Sequence, residues 1–128
     1  MIYGIGTDIV QVARIQRSLD RYGERFAERI LGVAEFADYR ATAHPARFLA
    51  RRFAVKEALA KACGTGFTQG LTFRDITVAH DRAGKPELRF GGRAAELYRE
   101  WGLGESFVSI SDEREYAIAF VTLLKAVY

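Results

Sequence analysis

The stretch of sequence that decides the fold is residues 52–66, RFAVKEALAKACGTG. Its first part consists mainly of strong helix formers, with no proline and no glycine before Gly64, so it predicts a helix that ends there. Glu57 and Lys61 are four residues apart and therefore project from the same face of that helix. The turn over residues 64–66 allows backbone amides to approach a ligand closely. A carboxylate, an ammonium group and an open loop in one short segment indicate a site for a metal ion and a phosphate.

The same pattern has a simpler interpretation. An isolated Glu-to-Lys pair at this spacing is usually a solvated ion pair, which stabilises a helix by about 0.3–0.5 kcal/mol. Lys61 in the last turn would also complement the helix dipole, and Gly64 is a common way for a helix to end. No Gly-Lys-Ser/Thr follows the glycines, so the loop is not a P-loop. Spacing alone favours the simpler interpretation, and other parts of the chain must decide.

The composition is that of one globular domain, predicted to span residues 1–128. With 49% hydrophobic and 27% charged residues, a chain of this length buries roughly two-thirds of its unfolded surface without a metal or a disulfide. Cys63 is the only cysteine, so an internal disulfide is excluded, and we expect a reduced, buried side chain. His44 and His80 have no partner at metal-ligand spacing, which argues against a zinc site.

Hydropathy and charge indicate where in the cell the protein is located and which class of partner it binds. No apolar run approaches the roughly 18 residues that a membrane span requires, and the first residues lack the features of a signal peptide. We therefore expect a cytoplasmic protein without a membrane partner. The net charge is +3, and 15 of the 19 cationic side chains are arginine, whose planar guanidinium suits phosphate and carboxylate groups. These charges favour anionic partners.

Hydrophobic periodicity and turn residues predict an α+β fold. The predicted elements are a strand over 2–10, a helix from 11 to about 31 interrupted near 23, a short helix over 33–41, a long helix over 45–63, a strand over 72–79, a strand over 88–90, a helix over 94–101, and a hairpin of 106–111 with 116–124.

Asp8 is the second informative residue, because acidic residues are uncommon in strands. Alternation along residues 2–10 places it on the same face as Gly4 and Gly6, where another backbone or a ligand could come close. Its carboxylate would cap the following helix or pair with an arginine. Alternatively, Asp8 and Glu57 would form an all-oxygen site of the kind that favours Mg²⁺. The residues themselves leave both interpretations open.

A basic stripe follows the first strand. Four arginines spaced three and four residues apart share one helical face if the helix continues through Gly23; they are Arg14, Arg17, Arg21 and Arg25. A neighbouring apolar stripe predicts the core face of the same segment; its members are Ile15, Leu19, Tyr22, Phe26 and Ile30. An acidic partner surface explains the basic stripe, and a solvated face explains it equally well.

Three segments, taken together, resemble a known family. They are GIGTDI at residues 4–9, the helix and loop of residues 52–66, and VSISD at residues 108–112 followed by Tyr116 and Ala117. Over essentially its full length, the chain resembles the holo-[acyl-carrier-protein] synthase family, the small, single-domain type of 4′-phosphopantetheinyl transferase. The resemblance implies the transferase-like fold of that family, a mainly antiparallel sheet packed against a long central helix.

The resemblance also implies a reaction and its partners. Family members transfer the 4′-phosphopantetheine arm of coenzyme A to a serine hydroxyl of apo acyl carrier protein, with Mg²⁺ as cofactor, and release 3′,5′-ADP. The nucleophile then belongs to the carrier, which explains why this chain offers no recognisable Ser-His-Asp or Cys-His arrangement. Homotrimers with shared active sites are typical of the family. The glycine-rich face beside Asp8 and the apolar C-terminal strand are compatible with such an interface, and a shared site would need Asp8 and Glu57 from different chains.

Matched motif by motif, the resemblance assigns roles to individual residues. Asp8 and Glu57 would hold Mg²⁺, Glu57 would also act as the base, and Lys61 would bind the phosphates. Further coenzyme A contacts would come from Arg52, Gly64, Thr65, Gly66, Lys85 and Pro86. The acyl carrier protein would dock on Arg14, Arg21, Arg25 and Phe26.

Asp112 departs from the family pattern, because many members have histidine at this position. An aspartate at neutral pH repels phosphate, so a role of that histidine in phosphate binding or proton transfer does not carry over. We expect Asp112 to begin the hairpin turn instead.

Two other functions compete with the transferase. A nucleic-acid-binding module would use the basic stripe, but it predicts exposed aromatic side chains among the basic ones, and here they fall on the predicted core face. A non-catalytic carrier-binding module would also use the stripe. Neither function explains Asp8 together with Glu57, so we expect no nucleic-acid partner.

Overall fold

The computed structural model describes residues 1–127; Tyr128, the last residue of the predicted domain, lies outside the described residues. In chain order the elements are β1 (Ile2–Gln11), α1 (Val12–Tyr22), α2 (Glu24–Ile30), a 3₁₀ turn (Val33–Glu35), α3 (Phe36–Ala41), α4 (Pro45–Cys63), a second 3₁₀ turn (Phe73–Asp75), β2 (Ile76–His80), β3 (Pro86–Phe90), α5 (Gly92–Glu100), β4 (Leu103–Asp112) and β5 (Tyr116–Lys125). The predicted α+β class is confirmed.

The main layer is a three-stranded antiparallel sheet in the order β1-β5-β4, while β2 and β3 form a separate antiparallel pair. Helix α4 lies on β1 with almost no space between the two backbones. A Cβ atom on Gly4 would lie 2.0 Å from the carbonyl oxygen of Ala62, and one on Gly6 would lie 1.9 Å from that of Ala58. The glycine face of β1 is therefore covered by α4 of the same chain, and it is not open to a second subunit.

Helix α4 is the central helix, and side chains around most of its circumference are buried. Pro45 stands in its first turn, where the missing N–H would have no partner in any case. Gly64 ends the helix at a φ of +84°, a left-handed conformation that glycine adopts without strain. Neither α4 nor another helix within residues 1–127 combines the length and hydropathy needed to cross a membrane.

The predicted interruption near residue 23 is confirmed, because Gly23 separates α1 from α2 with a φ of +62°. Ile15 and Ile30 are buried as predicted, whereas Tyr22 is 53% exposed. The prediction of Tyr22 as a core residue is therefore wrong. The chain changes direction directly after Tyr22, so the Tyr22 ring lies at the C-terminal end of α1. The Arg21 guanidinium lies 5.2 Å from the centroid of this ring.

The strand predicted over residues 72–79 is shorter than expected, because Phe73–Asp75 form a 3₁₀ turn before β2. Contacts with residues outside this segment hold the turn. The ring of Phe73 lies 4.1 Å from that of Phe67, centroid to centroid, and its carbonyl oxygen accepts a hydrogen bond from Lys56 Nζ at 3.0 Å. The local pattern of residues 72–79 contains neither contact, so it could not show where the strand begins.

Candidate active site

Asp8 and Lys61 meet where β1 crosses α4. Lys61 Nζ donates hydrogen bonds to Asp8 Oδ1 at 3.0 Å and to the carbonyl oxygen of Thr7 at 2.9 Å. The Lys61 side chain is 55% exposed, whereas that of Asp8 is only 16% exposed. Lys61 therefore pairs with Asp8 and not with Glu57, its neighbour one turn earlier on the helix. Asp8 neither caps α1, which has no side-chain cap, nor uses an arginine as its partner in this salt bridge.

Glu57 lies on the same face of α4 as Lys61 and is the third charged residue of the site that Asp8 and Lys61 form. Burial raises the pKa of its half-buried carboxyl, the Asp8 carboxylate raises it further, and Lys61 and Arg14 act in the opposite direction. Two carboxylates and two cations from β1, α1 and α4 thus lie close together. Asp8 and Glu57 come together within one chain, so the expectation that they come from different chains is wrong.

The two carboxylates suit a hard divalent cation. Within residues 1–127 no group of three or more His, Cys, Asp or Glu side chains is arranged to hold a metal on its own. Mg²⁺ does not require such a group, because it commonly binds one or two carboxylates and fills its remaining positions with water and substrate phosphate. Burial and the neighbouring Asp8 carboxylate both disfavour the charged form of Glu57 and raise its pKa, and a bound cation would offset both effects. The donor set therefore fits Mg²⁺.

The glycine loop begins immediately after the last turn of α4. The Gly64 amide donates to the carbonyl oxygen of Lys61 at 3.0 Å, and the Gly66 amide donates to that of Ala60 at 3.2 Å. Gly66 has a φ of +64°, which a residue with a side chain rarely adopts. Thr65 lies between them and is half-buried. The fold thus places the loop one helical turn from Lys61, in line with the expectation from the sequence.

Lys85 and Pro86 lie on the β2–β3 turn. Asp81 Oδ1 accepts hydrogen bonds from the backbone amides of Ala83 and Lys85 at 2.8 and 2.9 Å, which fixes the turn. Lys85 Nζ lies 6.0 Å from the centroid of the Phe107 ring on β4. Both residues line an open cleft of about 290 Å³ between this turn and β4. Both residues contact β4 and not the site formed by Asp8, Glu57 and Lys61.

Arg52 is buried inside the protein, unlike the other residues that were predicted to contact coenzyme A. Its side chain is 5% exposed, its Nε lies 3.3 Å from Glu35 Oε2 without forming a hydrogen bond, and its guanidinium lies 4.3 Å from the centroid of the Phe48 ring. Burial lowers the pKa of Arg52, and Glu35 acts to raise it. The structure places Arg52 in a charged cluster inside the protein and not in the glycine loop.

Comparison with known proteins identifies the family. A family model described as the 4′-phosphopantetheinyl transferase superfamily matches residues 4–121. The holo-[acyl-carrier-protein] synthase of Halorhodospira halophila is 57% identical over 97% of this chain and 98% of its own length. The chain belongs to the holo-[acyl-carrier-protein] synthase family. The resemblance found in the sequence is thereby confirmed, and with it the enzyme class, a 4′-phosphopantetheinyl transferase.

Solved structures of synthases from this family share the fold. The crystal structure of the Neisseria meningitidis synthase has a TM-score of 0.94 at 44% identity, covering 98% of this chain and 100% of that one. The Bacillus anthracis synthase, solved in complex with coenzyme A (3′,5′-ADP), has a TM-score of 0.81 at 36% identity, covering 99% of each chain. The predicted transferase-like fold, with a mainly antiparallel sheet packed on a long central helix, is confirmed.

Around this synthase site, the structure shows two buried charged residues that the sequence did not single out. Lys56 is completely buried, and Glu35 is 2% exposed. Burial lowers the pKa of Lys56, and Glu35 acts to raise it. A signal was present in the sequence, because Lys56 shares its helical face with the apolar residues Phe53, Leu59 and Ala60. A charged residue in such a setting indicates a buried partner.

The remaining predicted positions lie at the surface of the synthase fold. Arg14, Arg21 and Arg25 are exposed on α1 and α2, and Phe26 is half-buried. Asp112 ends β4, and its Oδ2 accepts a hydrogen bond from Arg51 on α4 at 3.2 Å. Asp112 therefore lies directly before the turn of the β4–β5 hairpin, and it also joins this hairpin to α4.

Proposed function

We propose that the chain is a holo-acyl-carrier-protein synthase that transfers 4′-phosphopantetheine from coenzyme A to a serine hydroxyl of apo acyl carrier protein and releases 3′,5′-ADP. The observation that carries this proposal is the meeting of Asp8, Glu57 and Lys61 beside the glycine loop. The relatives named above are synthases of this kind, and one of them was solved with coenzyme A (3′,5′-ADP).

The reaction is a phosphoryl transfer, in which positioning and charge stabilisation supply most of the catalysis. The carrier serine oxygen forms a bond to the phosphorus that bears the pantetheine arm, and the bond from that phosphorus to the oxygen bridging to ADP breaks. Asp8 and Glu57 would hold Mg²⁺, which when bound neutralises charge on the pyrophosphate. Lys61 would bind the phosphates as a point charge. Glu57 would accept the serine proton directly or through a water molecule.

Coenzyme A would lie along the glycine loop and reach the β2–β3 turn. Gly64, Thr65 and Gly66 would present backbone to the phosphates, while Lys85 and Pro86 would contact the nucleotide end at the cleft beside β4. Arg52 would need to leave Glu35 to reach a ligand, and its 5% exposure opposes this. We therefore assign Arg52 to the support of the site from inside the protein.

The acyl carrier protein would dock on Arg14, Arg21, Arg25 and Phe26. The three arginines are exposed, and Arg14 lies close enough to Glu57 to lower its pKa, so this surface borders the catalytic carboxylates. Because exposed charges act mainly on encounter, we expect them to raise the association rate for an acidic carrier and to lose this effect in high salt.

We propose a homotrimer, as the resemblance implies. The support from the structure is an apolar outer face on the main sheet, opposite α4. Large side chains that are 42–61% exposed lie in neighbouring positions across β1, β5 and β4; they are Ile5, Ile9, Phe107, Ile118 and Phe120. Several exposed apolar side chains on one face of a sheet favour an association site in soluble proteins.

The test is the mass of an apo acyl carrier protein after incubation with the protein, coenzyme A and Mg²⁺. We expect a gain equal to one phosphopantetheine arm. Asp8→Ala and Glu57→Ala should each lower kcat/KM by roughly 100-fold or more, as is usual when a group that stabilises developing charge is removed. Glu105→Ala, which removes an exposed carboxylate on β4, is the control and should retain activity.

The proposal is contradicted if the folded protein adds no mass to any of several apo carriers. The metal assignment fails separately if Asp8→Ala or Glu57→Ala retains near-wild-type turnover at low Mg²⁺ concentration.

A further inference from the structure

A fully buried ammonium group lies behind the proposed active site. Lys56 is next to Glu57 in sequence but points into the protein, and its Nζ uses all three of its donor positions. It donates to the carbonyl oxygen of Ile30 at 2.7 Å, to that of Phe73 at 3.0 Å and to Glu35 Oε1 at 2.5 Å. A lysine has three N–H donors, so each has a partner here.

Glu35 is equally well satisfied. Its Oε1 also accepts a hydrogen bond from the Gly32 amide at 3.0 Å, and its Oε2 accepts one from the Val78 amide at 3.1 Å. This pair therefore joins α4 to the end of α2, to both 3₁₀ turns and to β2. Burying two charges costs several kcal/mol per ion before their attraction is counted, so an apolar pair would serve overall stability as well. The network gives fixed positions to the backbone segments that it joins.

One of these segments supports the glycine loop. The carbonyl of Phe73 is held by Lys56, and the ring of Phe73 lies 4.1 Å from that of Phe67, centroid to centroid. Phe67 directly follows Gly66 in the loop. A second ring, that of Phe53 on α4, stacks on Phe73 at 5.5 Å with an interplanar angle of 22°.

The loop needs such support, because its own backbone is unusual. Gly64, Gly66 and Gly70 have φ values of +84°, +64° and +91°, and Gln69, which has a side chain, has a φ of +58°. Gln69 persists at such a φ only where its surroundings hold it. The glycines adopt these values without strain, but they lose the most conformational freedom on ordering, so a single loop conformation also depends on contacts from outside the loop. Within the loop, Thr68 Oγ1 donates to the carbonyl oxygen of Thr65 at 3.0 Å, and this bond is exposed to solvent.

From these contacts we infer that Lys56 is a positioning residue for coenzyme A, acting through Phe73 and Phe67 to hold residues 64–66 in the conformation that binds the phosphates. It touches neither substrate nor metal. The inference rests on the proposed function, because it takes coenzyme A as the ligand of the loop. It predicts that damage to this chain of contacts weakens coenzyme A binding and leaves carrier recognition intact.

The decisive experiment uses Phe67→Leu and Phe73→Leu in the full-length protein. Calorimetry with coenzyme A and Mg²⁺ measures Kd without a carrier, and the mass assay gives KM for each substrate. We expect Kd and KM for coenzyme A to rise about tenfold, which corresponds to about 1.4 kcal/mol, while KM for the carrier changes less than twofold. Phe36→Leu is the matched control, because that ring packs edge-on against Tyr39 in α3 and should leave all three constants unchanged.

Lys56 is tested together with its partner. Lys56→Met removes the hydrogen-bonded cation of Glu35 and leaves only Arg52, whose Nε lies 3.3 Å away without a hydrogen bond. The double variant Lys56→Met/Glu35→Gln is therefore used to keep the protein folded, because it removes both charges of the hydrogen-bonded pair and keeps a side-chain oxygen beside Arg52. We expect it to raise Kd for coenzyme A at least as much as Phe67→Leu does. If the double variant unfolds, Phe67→Leu alone decides the question.

The outcomes separate the inference from the function on which it rests. If the wild-type protein modifies no carrier and binds no coenzyme A, the proposed function fails. If the wild type is active but Phe67→Leu binds coenzyme A as tightly as Phe36→Leu does, the inference is wrong. A rise in both KM values by the same factor, or a fall in kcat alone, would show general loosening of the fold and also overturn it.

Discussion

At the scale of single residues, the site balances two carboxylates against two cations. Lys61 donates to Asp8 at 3.0 Å, and Arg14 lies close enough to Glu57 to lower its pKa. Burial and the Asp8 carboxylate nevertheless raise the pKa of Glu57 overall, so desolvation outweighs the cations. A divalent cation held by Asp8 and Glu57 would offset both effects and favour the charged form of the two carboxyl groups.

Cys63 offers a pH-dependent test at the end of α4. Its side chain is buried, and burial raises the pKa of the thiol from 9.0 to about 11. Between these values the unfolded chain loses the proton while the folded chain keeps it. The thiol's contribution to the free energy of unfolding therefore falls as pH rises through this window.

We expect urea denaturation to show this effect as a difference between the wild type and Cys63→Ala. The wild type should be the more stable below pH 9, and its advantage should shrink as pH approaches 11, because the variant has no thiol to ionise. Groups common to both proteins cancel in the difference. A difference that stays constant over this range would contradict the buried, protonated thiol.

At the scale of elements, the contact between β1 and α4 builds the site. The helix approaches the strand so closely that only glycine fits at Gly4 and Gly6, and this approach brings Lys61 within 3.0 Å of Asp8. The same helix carries Glu57 towards the site and Lys56 away from it. One helix therefore supplies both a face of the candidate site and the buried network behind it.

Gly6→Ala should be strongly destabilising, because its Cβ would lie 1.9 Å from the carbonyl oxygen of Ala58 and the helix backbone cannot yield locally. We expect a loss of roughly 3 kcal/mol or more in the free energy of unfolding, at the upper end for overpacking. Gly23→Ala is the comparison, because nothing lies within 4 Å of its Cβ position and only its φ of +62° is strained. Its ψ of −147° places it outside the left-handed helical region, so the substitution should cost roughly 1–3 kcal/mol. Equal losses in the two variants would contradict the close packing of α4 on β1.

At the scale of the whole molecule, the main sheet has two unlike faces. Its inner face packs on α4, and its outer face exposes large apolar side chains from three strands. An isolated chain would present this surface to water, whereas a trimer would bury it. The outer face is therefore the part of the molecule where we expect subunits to meet.

Ile118→Lys should disrupt this association, because it places a charge on the outer face, on the central strand β5 and opposite Ile9. Light scattering during gel filtration should give the mass of a trimer for the wild type and of a monomer for the variant. Val33→Lys is the control, because Val33 is 86% exposed but lies on a 3₁₀ turn away from the sheet. A wild-type protein that elutes as a monomer would overturn the trimer.

Much of the fold could be predicted from local signals. Helix formers between Pro45 and Gly64 predicted the central helix, and Gly23 predicted the break between α1 and α2. The partner of Lys61 could not be predicted, because Glu57 is four residues away and Asp8 is 53 positions away in the chain. The prediction of Tyr22 as a core residue was wrong for a related reason. Helical periodicity assumes a straight helix, and the chain turns at Gly23.

The sequence by itself determined the order and type of most elements, the family, and the residue types that carry the chemistry, because each depends on motifs whose members are close in the chain. The tertiary structure decided which of those residues meet. It buried Arg52 beside Glu35, placed all three donors of Lys56 in the interior, and covered the glycine face of β1 with α4. These outcomes depend on packing between distant segments, and the free energy of a buried charge or a backbone contact is set only once those segments come together.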